Sequence, residues 1–172
     1  MNKIELIKTQ TEDAYKWVNK LVESIPVQKW DEIPSDLDTN VTWQIGHLIL
    51  SFNFHSIMVI KGPQLDLYQK IPIQEYAKLF VNSKPSECVG KMEAKSLIEH
   101  FRLLQNKSIE IISQLSDIEL DEELEPTKVQ HPIAKNKFEA LDWNIKHTMW
   151  HCGQLGLLKR ILDKGYDFGL KI

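Results

Sequence analysis

Apolar residues recur at helical intervals along most of the chain, and four long stretches carry the pattern. The first, Lys3–Ser24, puts Ile4, Ile7, Thr11, Ala14, Tyr15, Val18, Leu21 and Val22 at helical spacing, and Pro26 stops it. The second runs from about Val41 to Lys61, after Thr39 or Asn40 as N-cap, and ends at Gly62-Pro63. It is apolar nearly all round, so it lies deep or has a partner on its outer face. A membrane helix is the rival reading, and Gln44, His47, Ser51, Asn53, His55 and Ser56 argue against it. The third, about Met92 to Leu115, turns Leu97, Phe101, Leu104, Ile111 and Ile112 inward. The last opens on Asn136 with Glu139 three residues later, a capping-box pattern, and continues to about Asp163 before Gly165.

The connections are long. Between Gln64 and Lys91 the chain is mixed, with Pro72 and Pro85 and one short helical candidate, Ile73–Val81. Insertions of this length between helices often form part of a cleft or an interface. An acidic segment, Asp117 to Glu125, and a loop holding His131-Pro132 precede the last helix. Almost nothing reads as a strand, and there is no repeat and no domain boundary. The pattern predicts an all-α chain, a four-helix bundle with long connections, as a single domain over residues 1–172.

Composition narrows the partners. With 172 residues, 42% hydrophobic and 26% charged, the chain is ordinary for a globular protein with one substantial core. A net charge of -3 gives no electrostatic case for nucleic acid or an anionic membrane as partner. No basic-then-apolar N-terminal segment and no apolar run of roughly 18–20 residues is present, so a cytoplasmic location is expected. Cys88 and Cys152 lie far apart and suggest no disulfide framework. Cys152 is rotated about 100° from His151 and reads as a buried filler, and neither cysteine is assigned a role.

The candidate chemistry lies in the last helix. His147 and His151 are four residues apart in a run rich in Trp, Met and Leu, which puts both imidazoles on one face, within reach of one divalent metal. His47, on the second helix, would supply a third imidazole and leave one coordination position open, and Gly46 beside it would permit close helix approach. The bland alternative is that all three are core histidines bonded to backbone or side-chain acceptors. His55 is rotated about 80° from His47 and falls on the rim of that face at best. His100, near Glu99 and Arg102, reads as solvated, and nothing requires His131 to reach a cleft. No HExxH is present, so no zincin-type general base is built in. Trp43, Trp150 and Gln154 are the candidate substrate-binding residues, with Trp143 as a further wall, although tryptophans at helical spacing are more often core packing.

Two motifs carry a family resemblance. Asn-x-x-Trp-Gln-Ile-Gly-His-Leu-Ile at Asn40–Ile49, paired with His-x-x-x-His-x-Gly-Gln-Leu at His147–Leu155, resembles the DinB-like (DinB/YfiT) family. The resemblance covers nearly the whole chain in motif order, helix count and length. It implies a four-helix bundle with a three-histidine site for a divalent metal ion, zinc or nickel, held by His47, His147 and His151. It also implies kinship with transferases that use low-molecular-weight thiols such as bacillithiol or mycothiol, and with dimeric proteins.

The functional expectation is a metal-dependent enzyme that transfers a thiol to, or hydrolyses, a small electrophilic substrate, with no catalytic side chain assigned. A non-catalytic metal- or small-ligand-binding bundle and a structural dimerising bundle are the alternatives. The apolar second helix leaves a surface to cover, so a homodimer is expected.

Overall fold

Five helices of eight residues or more organise the computed structural model, which describes residues 2–169. They are α1 (Lys3–Ser24), α2 (Val41–Phe52), α3 (Ile73–Phe80), α4 (Ala94–Gln114) and α5 (Lys137–Leu162). Both α1 and α2 pack against α4 and α5, so the four long helices close a ring with α1 across from α2. No strand occurs among the described residues; Glu123 and Asn136 make one isolated bridge. Within the same residues, no helix is long and apolar enough to cross a membrane. The architecture is the all-α bundle that the helical spacing predicts.

Local chemistry sets the helix ends. Asn2 accepts from the Glu5 amide at 2.8 Å while the Glu5 carboxylate accepts from the Asn2 amide at 3.1 Å, a reciprocal capping box. Asn40, fully buried, caps α2 by accepting from the Trp43 amide at 2.7 Å. At α5, Asn136 accepts from the Glu139 amide at 2.9 Å, but the Glu139 carboxylate takes the Lys135 amide instead of the Asn136 amide. The expected box therefore closes one residue upstream of its cap.

Past Phe52 the helix does not stay α-helical. Asn53–Met58 forms a π-helical segment before a last short turn, Val59–Lys61, which Gly62 ends at φ 81°. Ser56 Oγ donates to the Phe52 carbonyl at 2.7 Å, a side-chain bond that competes with the normal helical ladder. A π-turn holds more residues than an α-turn, so each residue in it advances less around the axis. That change of phase bears directly on His55, which lies within it.

The outer face of α2 is covered by the chain itself. Tyr76 and Phe80 of α3 are fully buried, and a Cβ on Gly46 would stand 2.4 Å from the Phe80 ring. Glycine is thus what lets α3 lie so close to α2. The apolar surface that suggested a partner on this helix is buried intramolecularly. Exposed apolar side chains occur instead on α5, at Met149, Trp150, Leu157 and Ile161.

The core centres on Phe52, whose ring lies 4.6 Å from Tyr15 and 5.3 Å from Phe101. One buried polar set crosses it: Tyr15 donates to Ser108 Oγ at 2.9 Å and accepts from Asn144 at 3.1 Å. These bonds tie α1, α4 and α5 together. Pairing of this kind is what makes a buried hydroxyl tolerable.

Candidate metal centre

Helices α2 and α5 bring His47, His147 and His151 into one group. Each offers a ring nitrogen, and the three atoms lie within 4.8 Å of one another. The ring centroids of His47 are 5.4 Å from His147 and 5.0 Å from His151, and the two α5 rings are 4.6 Å apart. His147 Nε2 and His151 Nε2 approach to 3.1 Å. Metal–nitrogen bonds of about 2.0–2.1 Å at a tetrahedral angle set ligand nitrogens about 3.3 Å apart, close to the separation of the His147 and His151 nitrogens. Among the described residues, no carboxylate or cysteine joins the group.

Hydrogen bonds mark the free nitrogen in two of the three rings. His47 Nδ1 donates to the Phe80 carbonyl at 3.0 Å, which leaves the lone pair on Nε2. His151 Nδ1 donates to Gln44 Oε1. Gln44 Nε2 in turn donates to Thr39 Oγ1 and to Gln154 Oε1, both at 2.8 Å, so the contact with His151 is one link in a chain of polar side chains. Such outer hydrogen bonds to carbonyl oxygens are the usual support for metal-ligating histidines. His147 Nδ1 is buried with no protein partner. A buried polar atom left unpaired costs about 1–3 kcal/mol, and no outer acceptor sets the tautomer of this ring.

Burial keeps the group neutral. Desolvation, and then the neighbouring imidazoles, push His151 down to about 3 and His147 to about 4. His47 is also lowered by burial, against the opposing pull of the Phe80 carbonyl. Near pH 7 all three rings therefore carry free lone pairs, the state a cation requires.

The candidate substrate residues are dispersed. Trp43 stacks on His47 at 4.8 Å with planes 10° apart, and its indole Nε1 is buried without a protein partner. Gln154 sits behind the site, bonded to Gln44. Trp150 is 64% exposed and stacks on none of the three imidazoles. Trp143, in contrast, stacks on His147 at 5.9 Å.

Two histidines ranked low on spacing belong beside the cluster. His55 is buried, with its ring 5.6 Å from His147, and its Nδ1 lies 2.8 Å from His131 Nε2. The rim position expected for His55 assumed an uninterrupted α-helix. Asn53 and Ser56, whose side chains can compete with a helical ladder, were the available signal for the π segment. His131 arrives by loop closure, which no local pattern reveals. His100 is not solvated as expected: it is partly buried, with Nδ1 2.7 Å from the Tyr76 hydroxyl.

Neither cysteine is poised for nucleophilic work. Cys88 is fully buried, with Sγ 3.1 Å from the Pro85 carbonyl, and burial raises its thiol. Burial pushes the Cys152 thiol up to about 12. It lines a cavity of about 690 Å³ with Trp17, Met149 and Phe168, and that cavity contains none of the histidines.

Comparison with known proteins agrees with this architecture. A conserved protein from Enterococcus faecalis has a similar structure, with a TM-score of 0.69 at 16% identity over 94% of this chain and 98% of that one. At that identity the likeness shows the fold alone. No curated protein sequence matches the chain. The DinB superfamily profile matches residues 10–155, a span that contains His47, His147 and His151 on their two helices. The chain belongs to the DinB superfamily.

Proposed function

We propose that the protein is a divalent-metal-dependent enzyme that transfers a low-molecular-weight thiol to, or hydrolyses, a small electrophilic substrate. One observation carries the reading: three neutral imidazoles converge, and two of them are locked by carbonyl acceptors on the opposite nitrogen. His47, His147 and His151 would hold the ion, zinc or nickel, through donors that bring no negative charge. The bound ion would supply a Lewis acid that lowers the proton affinity of a thiol or a water molecule placed beside it.

The chain's own residues then do three things. Phe80 and Gln44 fix the ligand tautomers. Trp43, flat against His47, walls one side and carries an unpartnered N–H. The buried cysteines stay protonated, so the nucleophilic sulfur comes from a substrate thiol and not from the protein.

The test is turnover. Chelator-treated protein, metal-restored protein and a His151→Ala variant are assayed for consumption of a small thiol with a generic electrophile, and for hydrolysis of an activated ester. Activity in the restored protein alone supports the reading, and the substrate consumed chooses between transfer and hydrolysis. Metal uptake without turnover of either kind would leave a binding protein on the same fold.

A further inference from the structure

The loop residue His131 accepts two backbone amides on one ring nitrogen. Ala134 N lies 2.8 Å and Ile133 N 3.2 Å from its Nδ1. Backbone amides only donate, so this Nδ1 must hold its lone pair, and the neutral ring carries its proton on Nε2. That Nε2–H faces His55 Nδ1 at 2.8 Å and donates to it. His55, having accepted at Nδ1, carries its own proton on Nε2 in turn. The polarity of the pair is therefore dictated from its backbone end.

Both rings are held. His55 is 8% and His131 6% exposed, and Phe54 stacks on His131 at 5.5 Å with planes 6° apart. The His55 ring stands 5.6 Å from His147, edge to face. Its Nδ1 is taken by His131, so Nε2–H is the one polar group this buried ring has left to offer beside the cluster. A nitrogen that bears a proton cannot ligate a cation, which agrees with a group of three ligands and not four.

We propose that His131 and His55 form a neutral donor chain that presents the His55 Nε2–H to an anionic atom, such as a thiolate sulfur, held at the three-histidine site. The proposal rests on the metal reading above for its ligand. The chain's polarity rests only on the backbone amides. The π-helical segment is the device that brings His55 in from the rim, as such segments often do at functional sites.

The experiment has two arms. In chelator-treated protein labelled with ¹⁵N-histidine, long-range proton–nitrogen correlation spectra should show His131 and His55 both protonated on Nε2 alone. A proton on His55 Nδ1 would overturn the chain. In cobalt(II)-loaded protein, azide is titrated while the visible spectrum is followed. His55→Leu should keep cobalt stoichiometry and bind azide about tenfold more weakly or worse, the scale of one hydrogen bond to a charged group. His55→Gln, whose amide can accept from His131 and still donate, should retain most of the affinity. Unchanged azide affinity in His55→Leu, or loss of cobalt from it, would overturn the donor role. Failure of the wild type to take up cobalt would overturn the metal reading and the donor role together, whatever tautomers the first arm shows.

Discussion

His47 Nδ1 donates to the carbonyl of Phe80, and the ring of that same Phe80 fills the space a side chain on Gly46 would need. One residue of α3 thus both orients a candidate ligand and depends on the glycine beside it. Gly46→Ala places a Cβ 2.4 Å from the ring, so the side chain of Phe80, the residue whose carbonyl holds His47, must shift. Overpacking of this kind costs about 1–3 kcal/mol. Denaturant unfolding should show that loss, and a metal titration should show weaker binding. Unchanged stability and metal affinity would mean that α3 gives way freely.

Gln44 links His151 to Gln154 and Thr39. Removing such an outer partner typically lowers metal affinity about 10- to 100-fold. Gln44→Leu should fall in that range in a chelator competition assay. Gln154→Leu, one bond further out, should fall by less. An equal or larger effect of Gln154→Leu would argue that Gln154 acts on the site directly.

The buried histidines make stability depend on pH in the absence of metal. His55 and His151 lie at about 3 and His147 at about 4 in the fold, against about 6.5 in the unfolded chain. Between these values the unfolded state binds more protons, so stability is fully present above about pH 6.5 and falls as pH drops below it. Each histidine contributes a slope of up to about 1.4 kcal/mol per pH unit. Urea unfolding of metal-free protein from pH 7 to pH 5, above most carboxylate titration, should show this slope. His151→Leu should be shallower by one histidine's share, and a flat profile in the wild type would contradict the burial described.

A homodimer, where it forms, should use the exposed apolar strip of α5. Trp150 is 64%, Leu157 46% and Ile161 49% exposed, and Trp150, Leu157 and Ile161 recur at helical spacing. Sedimentation of the wild type at micromolar concentration should give a dimer, and a Trp150→Glu, Leu157→Glu double variant a monomer. A monomeric wild type would remove the dimer expectation.

The bundle was readable because its helices obey local rules. Asn40, Gly62 and Pro26 stand where α-helical chemistry needs a cap or a stop, and the apolar spacing between them is regular. His147 and His151 were readable for the same reason, since i,i+4 spacing survives in any straight helix. What stayed hidden was non-local or irregular. Gln44 meets His151 across 107 positions, and no spacing encodes that bond. The π segment shifts the helical phase at His55, and the loop that returns His131 does so through backbone amides that every residue possesses. The burial of α2 by α3 likewise turned on Phe80 meeting Gly46, a contact between an insertion and a helix that periodicity treats separately.

The proposed activity depends on His47, His147 and His151 holding a divalent metal. Elemental analysis of protein purified without a histidine tag, beside a His47→Ala, His147→Ala double variant, tests it most directly. About one equivalent of zinc or nickel is expected in the wild type, native or after loading and removal of excess, and none in the variant. Wild-type protein that retains no metal after loading would contradict it, and the three imidazoles would then be core residues.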